Sequence, residues 1–91
     1  MQLDVRVPPM LKSCTGGRTR FELAATTLDE GLARLVAEHP SLGVHLYDES
    51  GALRRHVLIY YNDENIAWLD RLDLPVQPGD RLTVLQAVSG G

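Results

Sequence analysis

A single cysteine, Cys14, stands in a chain of 91 residues. That excludes a disulfide within the chain, a cysteine-rich zinc site and a ferredoxin-type iron–sulfur cluster. Histidine is sparse as well: His39, His45 and His56 stand apart without a His-x-x-x-His spacing, so no metal is expected. No block of lysine or arginine breaks a composition of net charge −3. The basic footprint that displaces counterions from phosphates is missing, and no nucleic acid is expected as a partner. The longest apolar run, Val57 to Tyr61, is too short to cross a bilayer. Met1-Gln2-Leu3-Asp4-Val5 enters a strand pattern with no basic leader region, so the expected address is cytoplasmic, with no membrane partner. No pairing of a nucleophile with a base is visible either, which argues against an independent enzyme.

What is present suffices for one small core. Hydrophobic residues make up 44% of the chain, enough to expect a folded domain rather than disorder. A chain of this length buries roughly 60–65% of its unfolded surface. The sequence reads as one domain over residues 1–88, with a flexible tail at 89–91.

Leu3, Val5 and Val7 alternate with Asp4 and Arg6, the period of a half-buried strand, and Pro8-Pro9 closes it. After the turn cluster Thr15-Gly16-Gly17, Thr19, Phe21 and Leu23 alternate again, predicting a β-hairpin. Thr27-Leu28-Asp29-Glu30 has the form of a capping box, in which the Thr27 hydroxyl takes the Glu30 amide and Glu30 reaches back. Leu28, Leu32, Leu35, Val36 and His39 follow at helical spacing until Pro40. Gly31 inside this helix marks a close approach to the sheet. Residues 41–55 read as a loop with at most one short helical turn. His56 to Tyr61 is a β-prone run ended by Asn62-Asp63-Glu64-Asn65, and residues 66–76 read as irregular. Pro78-Gly79-Asp80 is a turn, and Leu82, Val84 and Ala87/Val88 belong to the last strand. The order hairpin, helix, strand, strand predicts an α+β, β-grasp (ubiquitin-like) fold. It has a mixed sheet of four to five strands on one main helix, the last strand lying centrally beside the first.

The chain ends on Ser89-Gly90-Gly91. Glycines without Cβ atoms pass through narrow channels, so a carboxylate on such a tether can be delivered into another protein's active site. Together with Pro78-Gly79-Asp80-x-Leu82 and the apolar last strand, this terminus resembles the MoaD/ThiS family of ubiquitin-like sulfur carriers. Val57-x-Ile59-Tyr60-x-Asn62-Asp63-Glu64 and Thr15-Gly16-Gly17 look most like the carriers of cysteine biosynthesis, the CysO type. The resemblance implies a protein cosubstrate: an E1-like adenylating enzyme uses ATP to activate the Gly91 carboxylate. A sulfur donor then displaces AMP to leave a thiocarboxylate for a sulfur-accepting synthase. Gly90 and Ser89 would give the tail its reach, and the chain itself would bind no cofactor.

Gly16-Gly17 lacks a Walker lysine or a Gly-x-Gly-x-x-Gly frame and reads as a hairpin turn, leaving ATP to the partner. Cys14, with no base beside it, reads as incidental. Asp63 and Glu64 read as a solvated turn. If Val57, Ile59 and Tyr61 face the helix, alternation turns Leu58 and Tyr60 outward, and Leu85 opposite Leu82 and Val84. Leu58, Tyr60 and Leu85 would then form an exposed apolar patch beside the tail, the candidate docking surface for the activating enzyme. Two other functions fit the same terminus: a ubiquitin-like modifier joined through Gly91 to target lysines, and an interaction module with incidental glycines.

Overall fold

The computed structural model describes residues 1–86, so Ala87 and Val88 of the expected strand, and Ser89, Gly90 and Gly91 of the expected tail, lie outside the described residues. Five strands form one sheet: β1 (Gln2–Arg6), β2 (Arg20–Ala24), β3 (Val57–Tyr61), β4 (Glu64–Asn65) and β5 (Arg81–Gln86). Their spatial order is β2-β1-β5-β3-β4. The strand last in sequence is central, parallel to β1 and antiparallel to β3. This is the β-grasp arrangement expected from the order of elements.

Period-2 patterning sets which side is covered. Leu3, Val5, Phe21, Leu23, Val57, Ile59, Leu82 and Val84 all point into one core, and all are buried. Helix α1 (Leu28–Glu38) lays Leu28, Gly31, Leu32 and Leu35 onto this face. A Cβ at Gly31 would stand 2.6 Å from Cδ1 of Leu3, so the glycine does mark a close approach of helix to sheet.

The start of α1 departs from the expected capping box in one bond. The Thr27 hydroxyl accepts from the Glu30 amide at 3.3 Å, as expected. The Glu30 carboxylate, however, accepts from the Thr26 hydroxyl at 2.7 Å and the Thr26 amide at 3.4 Å. The Leu28 and Asp29 amides donate to the carbonyls of Leu74 and Leu72. The irregular stretch 66–76 thus satisfies amides that a helix N-terminus leaves open.

A second helix, α2 (Pro40–Leu46), corrects the reading of residues 41–55 as a loop. α1 ends before Pro40 as expected, and Pro40 also begins α2 as its first residue, where its missing N–H costs nothing. Leu42 and Leu46, four apart, put one short face into the core, and both are fully buried. The hairpin connection also holds a 3₁₀ helix, Pro9–Thr15, ended by Gly16 in the left-handed region at φ 69°. A 3₁₀ turn at Ile66–Trp68 follows β4. No helix among the described residues is long and apolar enough to cross a membrane.

Candidate functional site

The second face of β3 and β5 is the site that strand alternation predicts. Leu58 and Leu85 are direct cross-strand partners, and Tyr60 lies opposite Thr83. Leu85 is 43% exposed, whereas Leu58 and Tyr60 are partly buried. The three residues are brought together on one face as expected, with less exposure than expected at Leu58 and Tyr60. Tyr60 has a strand on each side, Thr83 on β5 and Asn65 on β4, and such neighbours shade it.

Across the same face the character changes. β1 and β2 place Asp4 opposite Glu22 and Arg6 opposite Arg20. Asp4 accepts from Arg6 at 3.1 Å and from Arg20 at 3.0 Å. Partial burial works against the charge of Asp4, but hydrogen bonds from Arg20 and Arg6 outweigh it and hold its carboxyl below the usual range. The open face is therefore ionic over β1 and β2, with an apolar patch at Leu58, Tyr60 and Leu85 beside the polar Thr83 and Arg81 of β5.

Two motifs singled out in the sequence meet in space at the start of β5. Gln77 to Asp80 close a turn through the Asp80 amide and the Gln77 carbonyl, 3.1 Å apart, with Gly79 at φ 88°. Proline followed by a glycine of positive φ is the pattern of a type II turn. The Asp80 carboxylate then accepts from the Tyr61 hydroxyl, from Asn62 Nδ2 at 3.2 Å and from the Gln77 amide at 2.8 Å. Asn62, itself at φ 57°, accepts through Oδ1 from the Arg81 amide at 2.9 Å. Burial and then the bond to Asp80 push the Tyr61 hydroxyl well above its ordinary range. Burial opposes the ionised Asp80, yet the bonds from Tyr61, Gln77 and Asn62 prevail and keep its carboxyl below the usual range. This cluster fastens the strand that leads to residues 87–91 onto the β3–β4 turn. Alternation could not find it, because it joins the end of β3 and the turn after it to a separate turn before β5 through polar groups.

The remaining candidates take quieter places. Asp63 has 93% of its side chain exposed and pairs with Arg81 at 3.2 Å, so with the exposed Glu64 it forms a solvated turn. Gly16 and Gly17 lie in a turn at φ 69° and 85°. Cys14 is free and partly buried. Ser89, Gly90 and Gly91 are among the residues not described.

Residues 5–91 match the ThiS family. The chain belongs to that family. A curated relative from Mycobacterium tuberculosis, the sulfur carrier protein CysO, is 34% identical over 93 residues, covering all of both chains. The solved BexX/CysO complex from Amycolatopsis orientalis contains a chain 32% identical, with a TM-score of 0.79 over 98% of this chain and 99% of that one. SAMP1 from Haloferax volcanii shares the fold over the full length of both chains, with a TM-score of 0.78 at 23% identity. The family and the CysO-like resemblance read from the terminus and turn motifs are thereby confirmed.

Proposed function

We propose that this chain is a sulfur carrier protein and works as a cosubstrate rather than an enzyme. The observation that supports it most is the full-length similarity to the mycobacterial sulfur carrier, in a family match that runs through Gly91. The geometry is compatible: a central strand, fastened at its start by Asp80, leads directly into residues 87–91. In the proposed cycle the Gly91 carboxylate attacks the α-phosphate of ATP inside an E1-like enzyme, releasing pyrophosphate. A carboxylate is a poor electrophile, and the mixed anhydride with AMP supplies the leaving group. A sulfide equivalent from a donor displaces AMP, and the thiocarboxylate's soft sulfur then attacks an acceptor bound to a synthase. ATP belongs to the activating partner, and this chain holds no cofactor of its own.

Leu58, Tyr60 and Leu85 are the proposed contact with the activating enzyme, since contiguous apolar surface beside a reactive terminus marks an interface. Ser89 and Gly90 supply slender backbone for the active-site channel. Deleting Gly91 should abolish adenylation, read as ATP–pyrophosphate exchange, while thermal unfolding stays as in the parent. Exchange by the deleted chain would refute the role. Mass spectrometry of the parent should show an oxygen replaced by a sulfur at the terminus, whereas ladders of lysine conjugates would instead favour the modifier reading.

A further inference from the structure

The nine lysines and arginines divide into two sets by pairing. Arg6, Arg20, Arg34, Arg71 and Arg81 each pair with a carboxylate within 4 Å. Lys12, Arg18, Arg54 and Arg55 pair with none among the described residues. The topology puts all four of these at one end of the domain. β5 runs parallel to β1, so residues 87–91 follow from the end of the sheet where β1 finishes. The 3₁₀ helix that carries Lys12 begins just past that end of β1, and Arg18 just precedes the antiparallel β2. Val57, the first residue of β3, pairs with Gln86, the last of β5, which puts Arg54 and Arg55 beside the same exit.

Each cation is held differently. Lys12 and Arg55 are exposed. The Arg18 guanidinium lies 5.2 Å from the centroid of the Phe21 ring. Arg54 donates Nε to the Val44 carbonyl at 3.0 Å. Of the acidic groups, Glu38 ends α1, and Asp48 and Glu49 lie in the loop after α2, lining a surface pocket with Arg54.

We propose that Lys12, Arg18 and Arg55 form a cationic collar around the tail exit, which docks against a carboxylate-lined rim of the enzyme that admits the tail. This rests on the sulfur-carrier reading and names the chemistry its partner must present. A chain of net charge −3 is repelled by an acidic partner unless its positive end leads. Unpaired cations around the reactive terminus orient that approach, and complementary fields of this kind raise association rates by about 10 to 10³-fold, falling with ionic strength. Arg55 lies shortly before Leu58, the cross-strand partner of Leu85, so this cation stands at the strand end nearest the apolar patch.

The probe is the adenylating enzyme whose ATP–pyrophosphate exchange depends on this chain, and its association is followed by stopped flow at low and high salt. Parent association should slow steeply with salt. Lys12→Glu combined with Arg55→Glu should lower the low-salt rate ~10-fold or more, and the variant and parent rates should converge at high salt. Lys12→Gln with Arg55→Gln should lose less, with an unfolding midpoint matching the parent's. A charge-reversed variant that associates like the parent overturns the collar, as does one that associates normally but needs more ATP, which would assign the cations to nucleotide phosphate. A parent that supports no exchange with any E1-like enzyme refutes the carrier reading itself. Exchange by the parent with unaltered association of the variants refutes the collar alone.

Discussion

β3 and β5 use alternate residues of the same ten-odd positions for opposite purposes. On the covered face, Val57, Ile59, Leu82 and Val84 are no more than 3% exposed, and on the other face Leu85 is 43% exposed. The backbone register is shared, so neither face can be altered by sliding the strands without altering the other. Chemistry does not separate the two faces, since leucine occurs on both. What separates them is whether a helix layer lies above. An apolar side chain under α1 and α2 is structural, whereas the same side chain without a cover is available to another molecule.

The largest expected effect attacks the covered face. Ile59→Ala should destabilise the domain by ~2–5 kcal/mol, as loss of a fully buried branched side chain does, measured by chemical denaturation. No loss would mean that the helix layer does not pack at that position. The open face should respond in the opposite way. Tyr60→Asp with Leu85→Asp should leave the domain folded and cost less stability than Ile59→Ala, while weakening binding to the activating enzyme by ~2 kcal/mol or more. A double variant that unfolds would reverse the assignment of the faces, and one that folds and binds normally would make the patch incidental.

A smaller effect is expected where the covered-face alternation ends. Tyr61 packs its ring against the core and donates its hydroxyl to Asp80. Tyr61→Phe removes that donor alone and should cost ~1–1.5 kcal/mol. The Asp80 carboxyl is held below its unfolded value, so its contribution is complete above that value, about 3.9, and drains away as pH falls through the folded value. Acid denaturation of Asp80→Asn should therefore show a weaker pH dependence below about pH 4 than the parent. An unchanged acid limb would show that the turn is held by its backbone alone.

Most of the sheet and α1 were legible because apolar residues recur there at a clean period, two in Leu3, Val5 and Val7 and helical in Leu28, Leu32 and Leu35. The helix α2 was not, since seven residues offer only Leu42 and Leu46 as a repeat, and Pro40 read as a stop. The 3₁₀ helix at Pro9–Thr15 was hidden for a similar reason, with Leu11 its only buried apolar side chain. At the site, alternation alone placed Leu58, Tyr60 and Leu85 together. The Tyr61–Asn62–Asp80 cluster and the cations at the tail exit were not visible, because both are assembled from residues far apart in the chain. Lys12, Arg18, Arg54 and Arg55 form no run in the sequence, and they are gathered at one end only by the pairing of β5 with β1 on one side and with β3 on the other.

The central place of β5 also governs how the domain is completed. Until residues 81–86 arrive, β1 and β3 face each other as two bare strand edges, open to pairing with other chains. Leu82 and Val84 are missing from the core at that stage as well. Joining β5 to β1 unites the two extremes of the described chain, a long-range closure of the slow kind. The strand that finishes the fold is also the one that leads to Gly91, the proposed point of activation. An unfolded or half-made chain therefore offers no paired β3–β5 surface, and under the proposed function the enzyme that grips both strands would inspect the fold before it consumes ATP.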